Sequence, residues 1–330
     1  MTGKSEFFSN FIDIEKRKNF SIDQEISPEN FKELIGEYIL SEEVACQVRA
    51  KGGICHQNHK KGWLGATKDG IEALIGGHCA RNYFKADKSF ALEKKRVRRE
   101  IDRKKHLDKM NEFYSNPLEF MSELSDLRQK IICIRKKFDE VNKLLPNVVL
   151  VFIENARKTK KWEIKVDVLK GESQENKKWI TETLENLKPL PYKYEILSTV
   201  TKIRDLIETY DEISKIDIDT LSTPKLNDTL AILNGKEDIE KSILKLSKQV
   251  DNFIKATNLE NLIYTCNDND DEFILTKAIM ILTGSKALSD GHVNLRTRRI
   301  KERIEKRLGG YPIRKNQLVD KYSKSSIFSS

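Results

Sequence analysis

Three of the chain's five cysteines and three of its five histidines fall within the 34 residues from Cys46 to Cys79. The stretch runs Cys46-x8-Cys55-His56-x2-His59, then Gly62-Trp63-Leu64-Gly65, a Lys68-Asp69-Gly70 turn, and Ile75-Gly76-Gly77-His78-Cys79. Thiolate and imidazole together are the donor set that tetrahedral zinc prefers. The segment also carries few large apolar residues, so a metal would supply stabilisation that a core of this size lacks. Four ligands are needed, and Cys46, Cys55, His59 and Cys79 are the predicted set. His56 and His78 adjoin chosen ligands, and neighbours in sequence seldom both reach one ion. Three thiolates and one imidazole make a closed structural Zn2+ site, whereas a catalytic site would leave a position open for water.

The local punctuation fits such a module. Gly52-Gly53 allows a tight turn between Cys46 and Cys55, so one ion can hold both sides of a short loop. Asp69-Gly70, flanked by Trp63–Thr67 and Ile71–Ile75, is a strong hairpin signal. Gly76-Gly77-His78-Cys79-Ala80 then leads into Arg81-Asn82-Tyr83-Phe84, a predicted helix start. The order of ligands on a loop, hairpin, and ligand at a helix N-terminus resembles the treble-clef class of zinc fingers over residues 46–84. That resemblance implies a structural zinc whose last ligand comes from the first turn of a helix. The first pair is spaced Cys-x8-Cys, where treble clefs carry Cys-x2-Cys.

At 330 residues the chain suggests two or three folding units. It is 34% charged, as in proteins with long solvated helices. No run of about 18 apolar residues occurs, so no membrane span is expected. The N-terminus lacks the apolar core of a secretory signal. Few cysteines, clustered beside histidines, point to a reducing compartment, and a cytoplasmic location is expected. Cys133 and Cys266 read as ordinary thiols.

The net charge of +9 is unevenly spread. Lys85 to Met110 holds eleven Lys/Arg against five Asp/Glu, and His292 to Lys324 eleven against three; Glu195 to Asp290 holds eleven against eighteen. Two basic segments flanking an acidic middle are the footprint of contact with nucleic acid or another polyanion. The candidate contacts are Lys94, Lys95, Arg96, Arg98, Arg99, Arg103, Lys104 and Lys105 after the zinc module, and Arg296, Arg298, Arg299, Lys301 and Arg303 near the C-terminus. Sparse aromatic interleaving favours phosphate contacts over stacking on single strands.

Organisation is expected as follows. Residues 1–42 form a helical segment: Ser27 caps and Pro28 opens a helix with Phe31, Leu34, Ile35 and Ile39 on one face. Residues 43–86 form the zinc module. Residues 87–146 contain a basic helix, then a seam at Phe120, Leu124, Leu127, Ile131, Ile134, Phe138, Val141 and Leu145 with coiled-coil spacing. Residues 147–170 read as a β-hairpin or the edge of a small sheet, from the apolar run Val148–Ile153 and the alternating Trp162, Ile164, Val166 and Val168. Residues 171–290 are acidic and helical, with seams at Ile196, Val200, Ile203, Ile207 and Tyr210 and at Ile239, Ile243, Leu246, Val250 and Phe253. Residues 291–330 are a basic helix, closed by Gly309-Gly310, and a Ser-rich tail after Lys321 expected to be disordered. The fold class is mainly α with a small β component: an N-terminal zinc module, then a coiled-coil or helical-bundle body with a β-hairpin insertion.

Three functional readings follow. The first is a zinc-containing coiled-coil protein that binds nucleic acid, DNA more than RNA, with no evident catalytic site. The second is an adaptor using the zinc module and seams to build a homo-oligomer or recruit a protein partner. The third is a divalent-metal nuclease built on Glu154, Glu163 and Lys165 of a Glu-x-Lys strand; that pattern also recurs on the solvated face of many strands. Asn267–Glu272 lacks the central glycine and final glutamate of an EF-hand loop and reads as a helix cap. Neither a nucleobase-deaminase signature nor a phosphate-binding glycine loop is present.

Overall fold

Residues 5–171, 176–285 and 289–316 are described by a computed structural model. The chain divides into two compact units, Met1–Pro117 with Ile213–Ala231, and Leu118–Glu212 with Ile232–Ser330. The tail after Lys321 lies outside the described residues. No helix among the described residues is long and apolar enough to cross a membrane.

The first unit begins with strand β1 (Glu6–Phe8) and a short helix α1 (Phe11–Glu15). Strand β2 (Phe31–Ala45) follows, where the apolar spacing predicts a helix. This corrects the expected helical segment before residue 42. Leu34, Gly36, Tyr38 and Leu40 are buried at the period of two that a strand requires. Ile35 and Ile39 lie on the other, more exposed face, and read together with Phe31 and Leu34 they imitate a helical spacing; register shifts occur at Phe31/Glu33, Leu34/Gly36 and Ile39/Val44.

A two-stranded ribbon, β3 (Arg49–Ala50) and β4 (Gly53–Ile54), turns the chain back between Cys46 and Cys55. Gly53 sits at φ +119°, which only glycine adopts readily. Strands β5 (Asn58–Thr67) and β6 (Glu72–Gly76) form the hairpin expected around Asp69-Gly70, with Gly70 at φ +84°. The sheet order is β1-β2-β5-β6, with β1 parallel to β2 and the other pairs antiparallel.

Helix α2 (Gly77–Asn82) and the long basic helix α3 (Lys88–Ser115) complete this part of the unit. Asp87 caps α3, accepting from the Ser89 and Phe90 amides. The helix buries Phe90, Val97 and Ile101 in one cluster with Phe31, Leu34, Trp63 and Ile75. A second cluster holds Phe8, Ile14, Tyr38, Leu40, Leu64 and Leu74.

The second unit is mostly helical. Helix α4 (Pro117–Leu144) carries the predicted seam, and all eight seam positions are buried within the single chain. Helix α5 (Asn147–Thr159) follows immediately. Val148–Ile153 is therefore helical, a correction to the expected hairpin over 147–170. Val149, Ile153 and Ala156 share one buried helix face, so packing overrides the β preference of the branched residues.

Strand β7 (Glu163–Lys170) is present as expected, but its antiparallel partners are β8 (Lys178–Asn186) and, further on, Ile313–Lys315. Helix α6 (Lys193–Ile213) buries Ile196, Ile203, Leu206 and Tyr210. After α7 (Thr223–Asn234), most of which belongs to the first unit, helix α8 (Lys236–Phe253) buries its whole predicted seam. The chain closes with α9 (Ala256–Leu259), α10 (Asn269–Leu282), α11 (Asp290–Arg307) and β9 (Ile313–Lys315).

Contacts along α4 give the helix directions. Phe120 stacks on Tyr210 of α6 (4.7 Å), whereas Phe138, near the other end, packs against Arg157, which also covers Tyr192. Helix α6 thus runs antiparallel to α4. Glu123 pairs with Lys236 and Asp251 with Lys137 (2.7 Å), so α8 runs parallel to it.

Candidate metal centre and basic surfaces

Cys46 leaves the end of β2, Cys55 leaves β4, and Cys79 sits in the first turn of α2. Main-chain bonds fix the first two: the Cys46 amide donates to the Gln57 carbonyl, and the Cys55 and His56 amides donate to Val48 and Cys46. The three Sγ atoms lie within 4.8 Å of one another, and Cys55 and Cys79 are 3.4 Å apart. The Gly76 amide donates to Cys46 Sγ at 3.4 Å. Among the described residues, this is the one group of three His, Cys or acidic side chains close enough to hold a metal ion.

Burial pushes the Cys46 thiol above its ordinary range, and it pushes Cys79 higher still, with the neighbouring thiols adding to the effect. Without a cation the shifts favour the protonated forms of Cys46 and Cys79. A divalent metal reverses this by binding thiolates and releasing their protons.

His59, the fourth ligand expected from the sequence, is not drawn into the cluster. Its Nε2 meets the Tyr38 hydroxyl and its Nδ1 the Gln57 carbonyl. Desolvation lowers the His59 pKa, which favours the neutral ring. His56 is exposed at φ +51°, and His78 bonds Asn82 on the exposed side of α2. Tyr38 and Gln57 are the site residues that sequence reasoning missed, since neither stands in ligand spacing.

The basic residues divide into those engaged within the fold and those that are not. Arg96 is held by Glu93 (2.6 Å) and Glu100 (3.1 Å), and it donates to the Leu34 carbonyl (2.7 Å) and Ser5 (3.0 Å). Arg98 pairs with Glu37 and, like Lys94, covers the Trp63 ring. Lys105 lies over Phe7, and Arg103 donates to the Asp219 carbonyl. Lys95, Arg99 and Lys104 are exposed and have no such partner among the described residues. Lys95 and Arg99 share a shallow groove with Leu92, and Leu92 is 67% exposed.

On α11 the cations are largely taken up internally. Arg296 and Arg303 both bind the buried Glu260, at 2.9 and 2.8 Å. Lys301 pairs with Glu272, and Arg298 with Glu302. Arg299 is the member of the predicted set without such a partner among the described residues.

The nuclease carboxylates are each paired locally. Glu154 lies on α5 beside Arg157, while Glu163 pairs with Lys165 on the exposed side of β7. The carboxylate that β7 buries is Asp167, held by Thr181 and Asn316. Asp268 caps α10 by accepting from the Asp271 amide, as the sequence suggests.

Comparison of the chain with protein-family models, curated proteins and solved structures returns no match.

Proposed function

We propose that the N-terminal unit is a zinc-stabilised module that binds nucleic acid, duplex DNA in preference to RNA, along the outer face of α3. The observation that carries this reading is Lys95 and Arg99, exposed cations one turn apart on α3 that make no ion pair among the described residues; Lys104, likewise exposed and unpaired, lies further along on the opposite side of the helix. Cations already committed to a carboxylate contribute little to a phosphate backbone, because binding would have to break an existing pair. Zinc, held by Cys46, Cys55 and Cys79, has a structural role: it joins the end of β2 to the start of α2, and so fixes the strands on which α3 packs.

A salt series tests the reading. Labelled duplex DNA, single-stranded DNA and RNA are titrated with the zinc-loaded full chain. The affinity is expected to fall steeply with salt, and the triple variant Lys95→Gln, Arg99→Gln, Lys104→Gln to flatten the slope by about 0.9 for each phosphate no longer neutralised. No binding to any of the three at low salt sinks the proposal.

A second reading, docking of a protein partner on the same face, draws on Leu92, exposed among these cations. Binding of nucleic acid unaffected by the triple variant would favour it.

A further inference from the structure

We propose that His59 is the fourth ligand of the metal held by Cys46, Cys55 and Cys79, pre-aligned by Gln57 and held in reserve by Tyr38; this rests on the zinc reading of the same cluster. The key atom is the Gln57 carbonyl oxygen. It accepts from the Cys46 amide at 3.1 Å and faces His59 Nδ1 at 3.1 Å. A carbonyl can only accept, so in this pairing Nδ1 carries the ring proton. The neutral ring then has its lone pair on Nε2, which accepts the hydrogen bond of the Tyr38 hydroxyl.

Metal-ligating histidines show the same arrangement: one ring N–H goes to a backbone carbonyl or carboxylate, which fixes the tautomer and aims the other nitrogen at the ion. Here the outer partner is in place, and it is the same oxygen that anchors the backbone of Cys46. The Tyr38 hydroxyl occupies Nε2, and an ion bound there would displace it.

One further feature relates the ring to the Cys46 thiol. Gly76 donates its amide to Cys46 Sγ, and a Cβ on Gly76 would come within 3.1 Å of His59 Nδ1. One glycine thus touches a ligand thiol on one side and the imidazole on the other, with no side chain between them. Loading would release the thiol protons to solvent and free the Tyr38 hydroxyl from Nε2, with no change of oxidation state.

The test uses the reduced, metal-free full chain. X-ray absorption of the zinc-loaded wild type is expected to fit three sulfurs and one imidazole. In Co2+ titration with Zn2+ competition, His59→Ala is expected to weaken metal binding at least about tenfold and to move the visible Co2+ bands. Tyr38→Phe removes the competitor and is expected to bind at least as tightly as wild type with the wild-type spectrum. A wild-type first shell without imidazole, or an unchanged His59→Ala, overturns the ligand assignment while leaving the three-thiolate site standing. Weaker binding by Tyr38→Phe overturns the competitor role. Failure of wild type to take up metal overturns both this inference and the zinc reading. The wild-type spectrum decides the matter even where a variant fails to fold.

Discussion

Gln47 satisfies both main-chain groups of Leu74: its amide donates to the Leu74 carbonyl at 2.9 Å, and its side-chain oxygen accepts the Leu74 amide at 2.8 Å. Its side-chain nitrogen serves the carbonyls of Ser21, Ile22 and Gln24 at 2.7, 3.0 and 2.9 Å. One glutamine thus closes the outer edge of β6 and ties the 21–24 loop to it. A buried polar group left without a partner costs about 1–3 kcal/mol. Gln47→Ala is therefore expected to destabilise the first unit by about 2–4 kcal/mol in urea unfolding. Gln47→Glu should be worse, because a carboxylate would face three carbonyls. A loss below about 1 kcal/mol for both would refute this account.

Leu34, at a bulge in β2, is completed in the same way by an ion pair: Glu93 accepts its amide at 3.0 Å and Arg96 donates to its carbonyl. Burial alone would raise the Glu93 and Glu100 pKa values, but their hydrogen bonds, led by Arg96 for Glu93 and by Ser5 and then Arg96 for Glu100, outweigh it and hold both below the ordinary carboxylate range. A carboxyl held lower in the fold than in the unfolded chain adds stability above its unfolded pKa of about 4.3. That stability is lost as the pH falls through the folded value. Melting of the first unit should therefore be insensitive to these groups near neutral pH and should drop on acidification below about pH 4. Glu93→Gln should start lower and lose less over that interval. Calorimetry from neutral to acid pH reads this directly; parallel curves for the two proteins would exclude the pair as a source of the pH dependence.

Gly62 marks a close approach across the β5–β6 pair. A Cβ there would collide with the Ile75 carbonyl oxygen and the Tyr38 hydroxyl. Neither can retreat easily, since one belongs to the ladder and the other is bonded to His59. Gly62→Ala is expected to cost about 1–3 kcal/mol through overpacking and to weaken metal uptake by displacing Tyr38 and His59. Thermal melts and a Co2+ titration check the two effects separately. Gly52→Ala, where a Cβ meets open space, is the control and should change neither.

Much of this arrangement is legible in the sequence, and the exceptions have physical causes. The Asp69-Gly70 turn is readable because φ > 0 restricts which residues can occupy it, and the α4 and α8 seams because each packs one uninterrupted face within the chain. Strand β2 reads as a helix because Gly36 and Tyr38 hold inward positions while the apolar Ile35 and Ile39 lie on its other face, so that Phe31, Leu34, Ile35 and Ile39 fall at helical intervals. In α5 the β-branched run Val148–Val149 masks the i, i+4, i+7 positions Val149, Ile153 and Ala156, which share the buried face. The three cysteines are legible as a cluster because spacing and turn chemistry bring them together. The Tyr38–His59 bond is not, since it depends on which residues face each other across β2 and β5. The same limit applies to the basic helices: composition counts cations, whereas only the fold shows which ones already face a carboxylate.

That distinction yields the sharpest contrast between the two basic helices. Glu260 is buried and holds Arg296 and Arg303 together, so Glu260→Ala would leave two guanidinium groups without their shared counter-charge. Breaking a buried pair from one side costs about 3–5 kcal/mol when both partners are enclosed. Here the arginines are partly exposed and can be rehydrated, so a loss of about 1–3 kcal/mol is expected for the second unit. Arg299→Gln, which breaks no such pair among the described residues, should stay within about 0.5 kcal/mol of wild type. For nucleic acid the ranking runs through α3: Arg296→Gln with Arg303→Gln should lower stability and leave the salt slope of binding unchanged, whereas Lys95→Gln with Arg99→Gln should flatten the slope and leave the melt unchanged. Parallel melts and salt titrations on the two double variants decide the point. A flattened slope in the Arg296/Arg303 variant, at a temperature where it is still folded, would move the interface to α11.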